Sequence, residues 1–397
     1  MNILIINCGS SSLKYQLINT DTKAVLAKGL CERIGIEGAK LTHEPEGKDK
    51  LVVEKPMTDH QVAVDMVMKA LLHDEFGVIK DISEISAVGH RVLHGSKYYS
   101  DPVLIDEDVK KVIEDCFDLG PLHNPANLTG INACEAVMPG IPQVAVFDTA
   151  FHQTMPEKAY RYAIPNEYYE KYSIRRYGFH GTSHSYVSKR ALEISGLDPN
   201  NSKIIVAHLG NGASISAVVN GKCVDTSMGL TPLEGLIMGT RSGDIDAGVL
   251  QYIAHKEGKS IDEILDILNK QSGMLGMSEV SSDFRDVYKA ELAGNHNAKV
   301  ANEAFVYRVA KYIGSYVAAM NGIDAIVFTA GVGENDGLKR WEICEYLGYL
   351  GVELEDSQMK LHGKEALIST ANSKVKVYVV PTNEELSIAQ QTYSLVK

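Results

Sequence analysis

The segment Asn7-Cys-Gly-Ser-Ser-Ser-Leu-Lys14 lies between two apolar runs near the start of the chain. It follows the apolar run Ile3–Ile6 and leads into a second apolar run, Leu13–Ile18, so the sequence predicts two strands joined by a polar turn. Glycine in such a turn lets backbone N–H groups approach an anion closely, and successive N–H groups attract phosphate without any net positive charge. The turn is therefore a candidate anion-binding loop, and Lys14 is either placed to reach a phosphate or an ordinary solvated lysine of the strand.

A similar unit begins near the middle of the chain. The apolar run Ile204–Ala207 is followed by His208-Leu-Gly-Asn-Gly212 and then by Ile215–Val219. Aligning Asn7 with His208 superimposes the two glycine turns residue by residue. Two such openings about half a chain apart indicate a duplicated α/β domain, and two unrelated hairpins are the alternative.

Other segments alternate between helix and strand signals. Ser260 and Glu263 form a predicted capping box at the start of a helix, and Ala301–Met320 has the apolar spacing of a long helix. The apolar run Ala325–Thr329 predicts a buried strand, and Gly331–Asn335 predicts a tight glycine turn before a helix. Strand, turn and helix in this order are typical of parallel sheets that hold a nucleotide.

Length and composition restrict the classes of protein. The 397 residues suffice for two or three domains of about 100–200 residues each, and a boundary is predicted just after the apolar strand Gln143–Phe147. The 39 basic and 51 acidic residues give a net charge of −12, which argues against nucleic acid or an anionic membrane as a partner.

Targeting and cysteine patterns point to the cytoplasm. No run approaches the roughly 20 apolar residues that a membrane span needs, and the first residues lack the basic region of a signal peptide. The six cysteines are scattered without C-x-x-C spacing, so neither a zinc site nor a redox pair is predicted.

Several signatures of nucleotide enzymes and hydrolases are absent from the sequence. There is no G-x-x-x-x-G-K-[ST], no H-E-x-x-H and no G-x-S-x-G. Gly331–Gly337 reads G-x-G-x-x-x-G, one residue longer than the dinucleotide fingerprint, so a dehydrogenase fits poorly. Three glycine-rich polar turns, each after an apolar strand, remain as candidate phosphate-binding loops.

Four further segments combine glycine or apolar residues with arginine, histidine or aspartate. They are Gly89–Gly95, Phe147–His152, Tyr177–His184 and Met238–Asp244. Each alone has a purely structural explanation, such as a surface arginine, a helix-capping aspartate or a core histidine. Together they supply two arginines beside tight turns, which is what an anionic phosphoryl-transfer transition state requires.

These motifs, in this order and at this spacing, resemble the acetokinase family over essentially the whole chain. The resemblance implies the α/β fold shared by sugar kinases, heat-shock ATPases and actin, in which duplicated actin-like (ribonuclease H-like) domains hold the active site in the cleft between them. It implies a first domain of residues 1–149 with 383–397 and a second of residues 150–382, which carries most of the ATP site. It also implies a homodimer that moves the γ-phosphoryl group of ATP to a small carboxylate, with an acyl phosphate and ADP as products.

The resemblance also assigns individual residues. Asn7 and Glu384 are expected at a Mg²⁺ site, which Mn²⁺ would also fill. Residues expected to bind ATP or ADP are Lys14, His208, Leu209, Gly210, Asn211, Gly212, Asp283, Phe284, Arg285, Gly331, Val332, Gly333, Glu334 and Asn335. Residues expected to be catalytic are Asp148, Arg91, His180 and Arg241, and those expected around the substrate are Arg91, Leu93, Leu122, Phe179 and Pro232. Cys8 and Leu93 depart from the alanine and valine that relatives often carry.

The chemistry of a carboxylate acceptor refines these roles. A carboxyl group with a pKa of about 4 is already ionised at neutral pH, so a general base has little to remove. Asp148 is therefore expected mainly to position other groups, although the family assigns it as the acid/base residue. The repulsion between the carboxylate and the γ-phosphate would be offset by Mg²⁺, Arg91, Arg241 and His180.

Three alternatives stay open. A propionate or butyrate kinase of the same superfamily would share every loop and differ only around the acyl group. A non-catalytic, actin-like nucleotide-binding regulator would need none of Arg91, Asp148, His180 and Arg241, so their joint presence argues against it. A dehydrogenase is the most distant alternative.

Overall fold

The computed structural model describes residues 1–121 and 123–397. Residues 1–153 and 383–397 form one compact unit, and residues 154–382 form a second. Leu122, which was expected near the acyl group, lies outside the described residues.

The first unit is built on a mixed sheet. Its strands are β1 (Asn2–Gly9), β2 (Ser12–Asn19), β3 (Ala24–Glu32), β4 (Lys40–Pro45), β5 (Leu51–Glu54), β6 (Ile85–Val92), β7 (Val103–Leu104) and β8 (Gln143–Phe147). They lie in the order β5-β4-β3-β2-β1-β6-β8-β7, with β1, β6 and β8 parallel. The helices that precede β8 are α1 (His60–Leu71), α2 (Glu107–Asp115) and α3 (Asn124–Val137).

The second unit has its own sheet, in the order β11-β10-β9-β12-β14-β13. Its strands are β9 (Lys203–Leu209), β10 (Ala213–Val219), β11 (Lys222–Thr226), β12 (Ala325–Thr329), β13 (Ala366–Leu367) and β14 (Lys376–Val379). Its helices are α4 (Glu157–Tyr160), α5 (Asn166–Tyr172), α6 (Gly181–Ser195), α7 (Ala247–Glu257), α8 (Ile261–Lys270), α9 (Gly273–Ser278), α10 (Phe284–Leu292), α11 (His296–Met320), α12 (Ala330–Asn335) and α13 (Gly337–Glu345). The last helix, α14 (Glu384–Val396), belongs to the first unit.

Strand β1 shows how the first sheet is covered on both faces. Successive side chains of a strand point to opposite faces. Leu4 and Ile6 belong to the core that α1 and α3 cover, whereas Ile3 and Ile5 pack with Ile388 of α14. The apolar run Ile3–Ile6 of this strand is therefore buried from both sides.

The two sheets share one core topology, which confirms the predicted duplication. In each, the first strand pairs antiparallel with the second and parallel with a later strand, so β3-β2-β1-β6-β8 matches β11-β10-β9-β12-β14. The turns differ, because Gly9 pairs with Ser12 whereas Leu209 pairs with Ala213. The second turn is one residue longer, so the residue-by-residue alignment of the two glycine turns was wrong.

Local signals mark several element ends correctly. The Ser260 N–H donates to the Glu263 carboxylate at 2.8 Å and the Glu263 N–H donates to Ser260 Oγ at 3.3 Å, which confirms the capping box. Helix α11 begins earlier than predicted, because the Asn295 side chain caps it. The predicted turn Gly331–Asn335 is wrong, since these residues lie within α12.

Candidate active site

Arg91 and Asp148 lie at the same edge of the first sheet. Arg91 is near the end of β6, and Asp148 directly follows the parallel neighbour β8. The Arg91 Nε donates to Asp148 Oδ1 at 3.2 Å and Nη2 donates to Oδ2 at 2.6 Å. The Asp148 side chain is 0% exposed and that of Arg91 is 29% exposed, so a buried carboxylate orients a guanidinium that solvent can still reach.

Glu384 adds a second carboxylate beside this pair. It is the first residue of α14, and its Oε2 lies 3.8 Å from Arg91 Nε. Burial raises the pKa of Glu384 to about 7, against the opposing charge of Arg91. Within the described residues, the buried Oε2 atom has no hydrogen-bond partner. A carboxylate in this state is suited to a cation, because a cation would offset the cost of its burial.

Asn7 and Lys14 face the same side of the first hairpin. They are directly opposed across β1 and β2, and opposed residues of an antiparallel pair project to one face. Both line a cavity of about 280 Å³, which Glu385 of α14 also lines. The Asn7 amide oxygen and the Glu384 carboxylate are the oxygen ligands that Mg²⁺ accepts, together with water and phosphate oxygens. The residues of this unit therefore fit the expected metal.

Leu93 is fixed two residues beyond Arg91. Its side chain is 8% exposed, and its Cδ2 would lie 3.1 Å from a Cβ added to Gly120. Its N–H donates to Asn127 Oδ1 at 3.0 Å, and Asn127 Nδ2 donates to the Cys8 carbonyl at 3.0 Å. Asn127 therefore links the end of β1 to the segment that carries Arg91 and Leu93. No sequence motif predicted this role.

His180 is the central histidine of the second unit. It precedes α6 with a left-handed backbone, at φ 58°. Its Nδ1 is 2.9 Å from Ser214 Oγ, and its ring stacks on that of His208, with ring centroids 4.2 Å apart. His208 Nδ1 is in turn 2.8 Å from Ser183 Oγ. These contacts fix the ring planes of both histidines.

Gly212 marks the point at which His180 and Arg241 converge. A Cβ on Gly212 would lie 3.6 Å from His180 Nε2 and 3.8 Å from Arg241 Nη1. Arg241 Nη1 donates to the Pro232 carbonyl at 3.0 Å, and burial lowers the pKa of Arg241. No carboxylate pairs with Arg241 in the described part of the chain. A half-buried guanidinium without a counter-charge is suited to bind an anion.

The predicted nucleotide loops meet beside this point. The Gly239 N–H donates to the Asn211 carbonyl at 2.8 Å, and a Cβ on Gly239 would collide with Asn211 Oδ1 at 1.7 Å. A Cβ on Gly210 would lie 3.6 Å from the Cβ of Ala330 at the start of α12. The turn after β9, the loop that carries Arg241 and the segment after β12 are therefore adjacent, as the parallel β9–β12 pairing requires.

Glu334 and Asn335, both expected to bind ATP, make contacts within the fold. Glu334 Oε1 accepts from the Ala330 N–H at 2.7 Å and from the Thr382 N–H at 3.0 Å. Asn335 Nδ2 donates to the Gly331 carbonyl at 2.9 Å. These bonds explain why the segment is helical, since side chains satisfy backbone groups that a short helix leaves unpaired.

The segment 283–285 is divided between core and surface. The Phe284 ring packs edge-on against Phe305, with centroids 4.8 Å apart. Asp283 caps α10 by accepting from the Arg285 N–H at 2.8 Å. The Arg285 side chain is 85% exposed and also pairs with Asp283, and its hydrogen bonds lower the pKa of Asp283 to about 2.

The remaining predicted residues are placed as follows. Leu209 and Phe179 are buried, Val332 and Pro232 are partly exposed, and Gly333 faces the Phe328 backbone. Ser214 and Ser183 were missed by sequence reasoning. A sequence signal for them did exist, because each is a polar residue close to a recognised motif. Ser214 follows H-L-G-N-G in an otherwise apolar strand, and Ser183 lies within G-T-S-H.

The duplicated α/β fold and its two clusters of cationic side chains define an enzyme that handles anionic substrates. The family model for the acetokinase family matches residues 2–390, and the chain belongs to this family. It is 63% identical, over 100% of both chains, to a protein named acetate kinase from Agathobacter rectalis. It is 61% identical, again over 100% of both chains, to an acetate kinase from Lachnoclostridium phytofermentans.

Solved structures agree with this assignment. A Porphyromonas gingivalis acetate kinase matches with a TM-score of 0.96 at 49% identity, covering 100% of both chains. A Francisella tularensis propionate kinase matches with a TM-score of 0.92 at 45% identity, covering 99% of both chains. The chain is thus a phosphotransferase of the kinase class, and its expected α/β fold is confirmed. Among the residues that the structure describes, no helix is long and apolar enough to cross a membrane.

Proposed function

We infer that the chain is an acetate kinase, which transfers the γ-phosphoryl group of ATP reversibly and in line to acetate, giving acetyl phosphate and ADP. The observation that carries this inference is the full-length similarity to proteins named acetate kinase, at up to 63% identity. The geometry of both units agrees with it, because each supplies a buried or half-buried arginine suited to an anion.

Arg91 binds the acetate carboxylate in this proposal. Its guanidinium is oriented by Asp148 and retains exposed surface for a second anion. Acetate is already ionised at neutral pH, so Asp148 acts as a positioning residue rather than as a base. The charge of Asp148 raises the pKa of Arg91, which keeps the guanidinium protonated at every working pH.

His180 and Arg241 stabilise the transferring phosphoryl group. The donors His180 Nε2 and Arg241 Nη1 flank Gly212, where the missing side chain leaves room for the group. Donors fixed beforehand around developing negative charge lower the barrier without any reorganisation during the reaction. The turn His208–Gly212, the segment Asp283–Arg285 and the segment Gly331–Asn335 bind the nucleotide around them.

Glu384 and Asn7 hold the divalent cation, with Lys14 near the ATP phosphates. Mg²⁺, or Mn²⁺ in its place, supplies positive charge that neutralises phosphate oxygens when it is bound. The buried and unpartnered Oε2 of Glu384 supports this assignment. Leu93 limits the size of the acyl group beside Arg91, with Phe179 and Pro232 proposed as further acyl contacts.

The two compact units are proposed to be the two actin-like domains that the sequence predicts, with limits at residues 1–149 with 383–397 and at 150–382. The protein is further proposed to act as a homodimer in the cytoplasm, as the family resemblance implies. Light scattering coupled to size-exclusion chromatography tests the oligomer directly, and a mass of one chain would contradict it.

One assay tests the reaction and its alternatives. Purified protein is incubated with MgATP and formate, acetate, propionate or butyrate, and acyl phosphate is trapped with hydroxylamine. Acetate should give the highest kcat/KM. The 45% identity to the Francisella protein named propionate kinase makes propionate the specific rival, and equal rates with both acids would favour it. Absence of acyl phosphate with every acid would favour a non-catalytic nucleotide-binding protein.

A further inference from the structure

Side-chain hydrogen bonds around Glu234 hold the loop of residues 226–235 in the second unit. Glu234 Oε1 accepts from Arg176 Nη2, and Oε2 accepts from the Tyr162 hydroxyl. Both partners are distant in sequence, at separations of 58 and 72 residues. Burial raises the pKa of Tyr162, with Glu234 adding to the effect, so the phenol stays protonated and remains a donor.

The two partners of Glu234 also hold the backbone of the same loop. Arg176 Nη1 donates to three consecutive carbonyls, those of Thr226 at 3.0 Å, Ser227 at 3.1 Å and Met228 at 3.1 Å. The Leu230 N–H donates to the Tyr162 hydroxyl at 2.9 Å. One carboxylate thus connects two side chains that between them fix the backbone of residues 226–230.

Gly229 lies at the centre of this network. A Cβ at this position would lie 1.9 Å from Glu234 Oε2 and 2.3 Å from the Tyr162 hydroxyl, so a side chain here would displace both groups from the network. The Gly229 carbonyl accepts from the N–H groups of Tyr177 at 3.0 Å and Gly178 at 3.2 Å. The loop is therefore bonded to the segment that leads directly into His180.

The same loop reaches Arg241 through a different bond. Pro232 lies between Gly229 and Glu234, and its carbonyl accepts from Arg241 Nη1 at 3.0 Å. Arg241 has no carboxylate partner in the described chain, so this carbonyl is one of the few groups that set its position. Displacement of residues 229–234 would move both the Arg241 guanidinium and the backbone before His180.

We propose that Glu234, with Tyr162 and Arg176, is a positioning residue for phosphoryl transfer: it holds the 226–235 loop so that Arg241 and His180 meet at Gly212. This inference rests on the proposed function. None of the three side chains needs to contact substrate, because their effect passes through the Gly229 and Pro232 carbonyls. A misplacement of about 1 Å in such a site can cost roughly 10²-fold in rate.

The test compares two isosteric substitutions in the second unit. Glu234→Gln removes the charge that pairs with Arg176. Glu365→Gln is the control, because it removes the charge from another two-point pair of this unit, Arg190–Glu365 at 2.7 and 2.8 Å, that makes no hydrogen bond to residues 226–235 in the described chain. We expect Glu234→Gln to lower kcat by about 10- to 100-fold. Glu365→Gln should leave kcat within about twofold of wild type. Equal kcat values in the two variants would overturn the proposal.

A coupling experiment separates positioning from simple destabilisation. Added to Arg241→Ala, Glu234→Gln should lower kcat much less than it does in the wild-type background, because the group it positions is already gone. A full additional loss in the double variant would mean that Glu234 does not act through Arg241.

A measurement that needs no activity keeps the two hypotheses distinct. Amide hydrogen exchange of the peptide covering residues 226–244 should speed up at least about tenfold in Glu234→Gln and stay unchanged in Glu365→Gln. Unchanged exchange in Glu234→Gln would overturn the proposal that Glu234 holds the loop, even if the protein has acetate kinase activity. A wild-type protein without acetate kinase activity would contradict the proposed function. Faster exchange in Glu234→Gln would still support the proposal that Glu234 holds the loop. If Glu234→Gln does not fold, Tyr162→Phe, which removes only the hydroxyl, replaces it with the same expected directions.

Discussion

Asp148 and Arg91, which are 57 residues apart, form a two-point ion pair in which the carboxylate is wholly buried and the guanidinium is not. Arg241, in contrast, is half-buried and donates to a carbonyl and to a sulfur, with no carboxylate partner in the described chain. The two arginines are therefore expected to have similar importance for catalysis and opposite effects on stability.

Arg91→Ala should lower kcat/KM by at least about 10²-fold, because a donor to the anionic substrate is lost. It should also destabilise the fold by about 3–5 kcal/mol, since Asp148 is left buried without its partner. Steady-state kinetics and urea unfolding measure the two effects. Adding Asp148→Asn to Arg91→Ala should restore part of the stability and none of the activity. Near-normal activity of Arg91→Ala would remove this arginine from the site.

Arg241→Ala should lower kcat/KM by a similar factor of at least about 10². Its melting temperature should stay within a few degrees of wild type or rise, because the substitution removes a buried charge that has no counter-charge. Circular-dichroism melting beside the kinetics checks this. A large drop in melting temperature would show that the guanidinium is structurally required.

Glu384→Ala should raise the Mg²⁺ concentration needed for half-maximal activity sharply and lower the maximal rate. The reason is that Mg²⁺ is usually held by one or two protein carboxylates, and Glu384 would be the principal one here. The control is Glu107→Ala, which removes an exposed carboxylate of the same unit. If the Mg²⁺ titrations of Glu384→Ala and the control overlay, the metal assignment is wrong.

The raised pKa of Glu384 predicts a pH-dependent stability in metal-free buffer. The folded protein holds this proton up to about pH 7, whereas an unfolded glutamate loses it near pH 4.3. The folded state binds more protons in this window, so this residue's contribution to stability falls as the pH rises from about 4.3 to 7. Urea unfolding of wild type and Glu384→Gln should show the variant gaining relative stability between pH 5 and 7, with a constant difference above pH 8. A difference independent of pH would contradict the assignment.

Leu93 should control which acid is used. Leucine is one methylene larger than valine, so we expect acetate to exceed propionate by about tenfold or more in kcat/KM, with butyrate barely used. Leu93→Ala should narrow that gap, because it opens space beside Arg91 while the guanidinium remains. Leu104→Ala, at an exposed leucine of the same unit, is the control and should leave the ratio unchanged. A wild-type enzyme that uses propionate as well as acetate would contradict the prediction.

Much of the fold was predictable because its signals are local. The runs Gln143–Phe147 and Ala325–Thr329 are strands with the predicted limits, since each has four consecutive apolar residues and all five of its residues are buried. The Ser260 capping box needs only four residues of sequence. The prediction of a glycine turn at Gly331–Asn335 is wrong. The Glu334 carboxylate accepts a hydrogen bond from the Ala330 N–H, which stabilises a helix despite the two glycines.

The kinds of residue at the site, the duplication of the sheet and, through the motifs, the family could all be predicted from the amino-acid sequence. Which side chains meet became visible in the folded structure alone. Asp148 is paired with Arg91 because parallel strands β6 and β8 end at one edge, and Glu234 joins Tyr162 and Arg176 across separations of 72 and 58 residues, respectively. Such pairings depend on strand order and loop path, which are set by the burial of whole sheets rather than by any local pattern. That is why the sequence pointed to Arg91, His180, Arg241 and Asp148. Sequence reasoning missed Ser214, Arg176 and Glu234, which hold neighbouring groups in place.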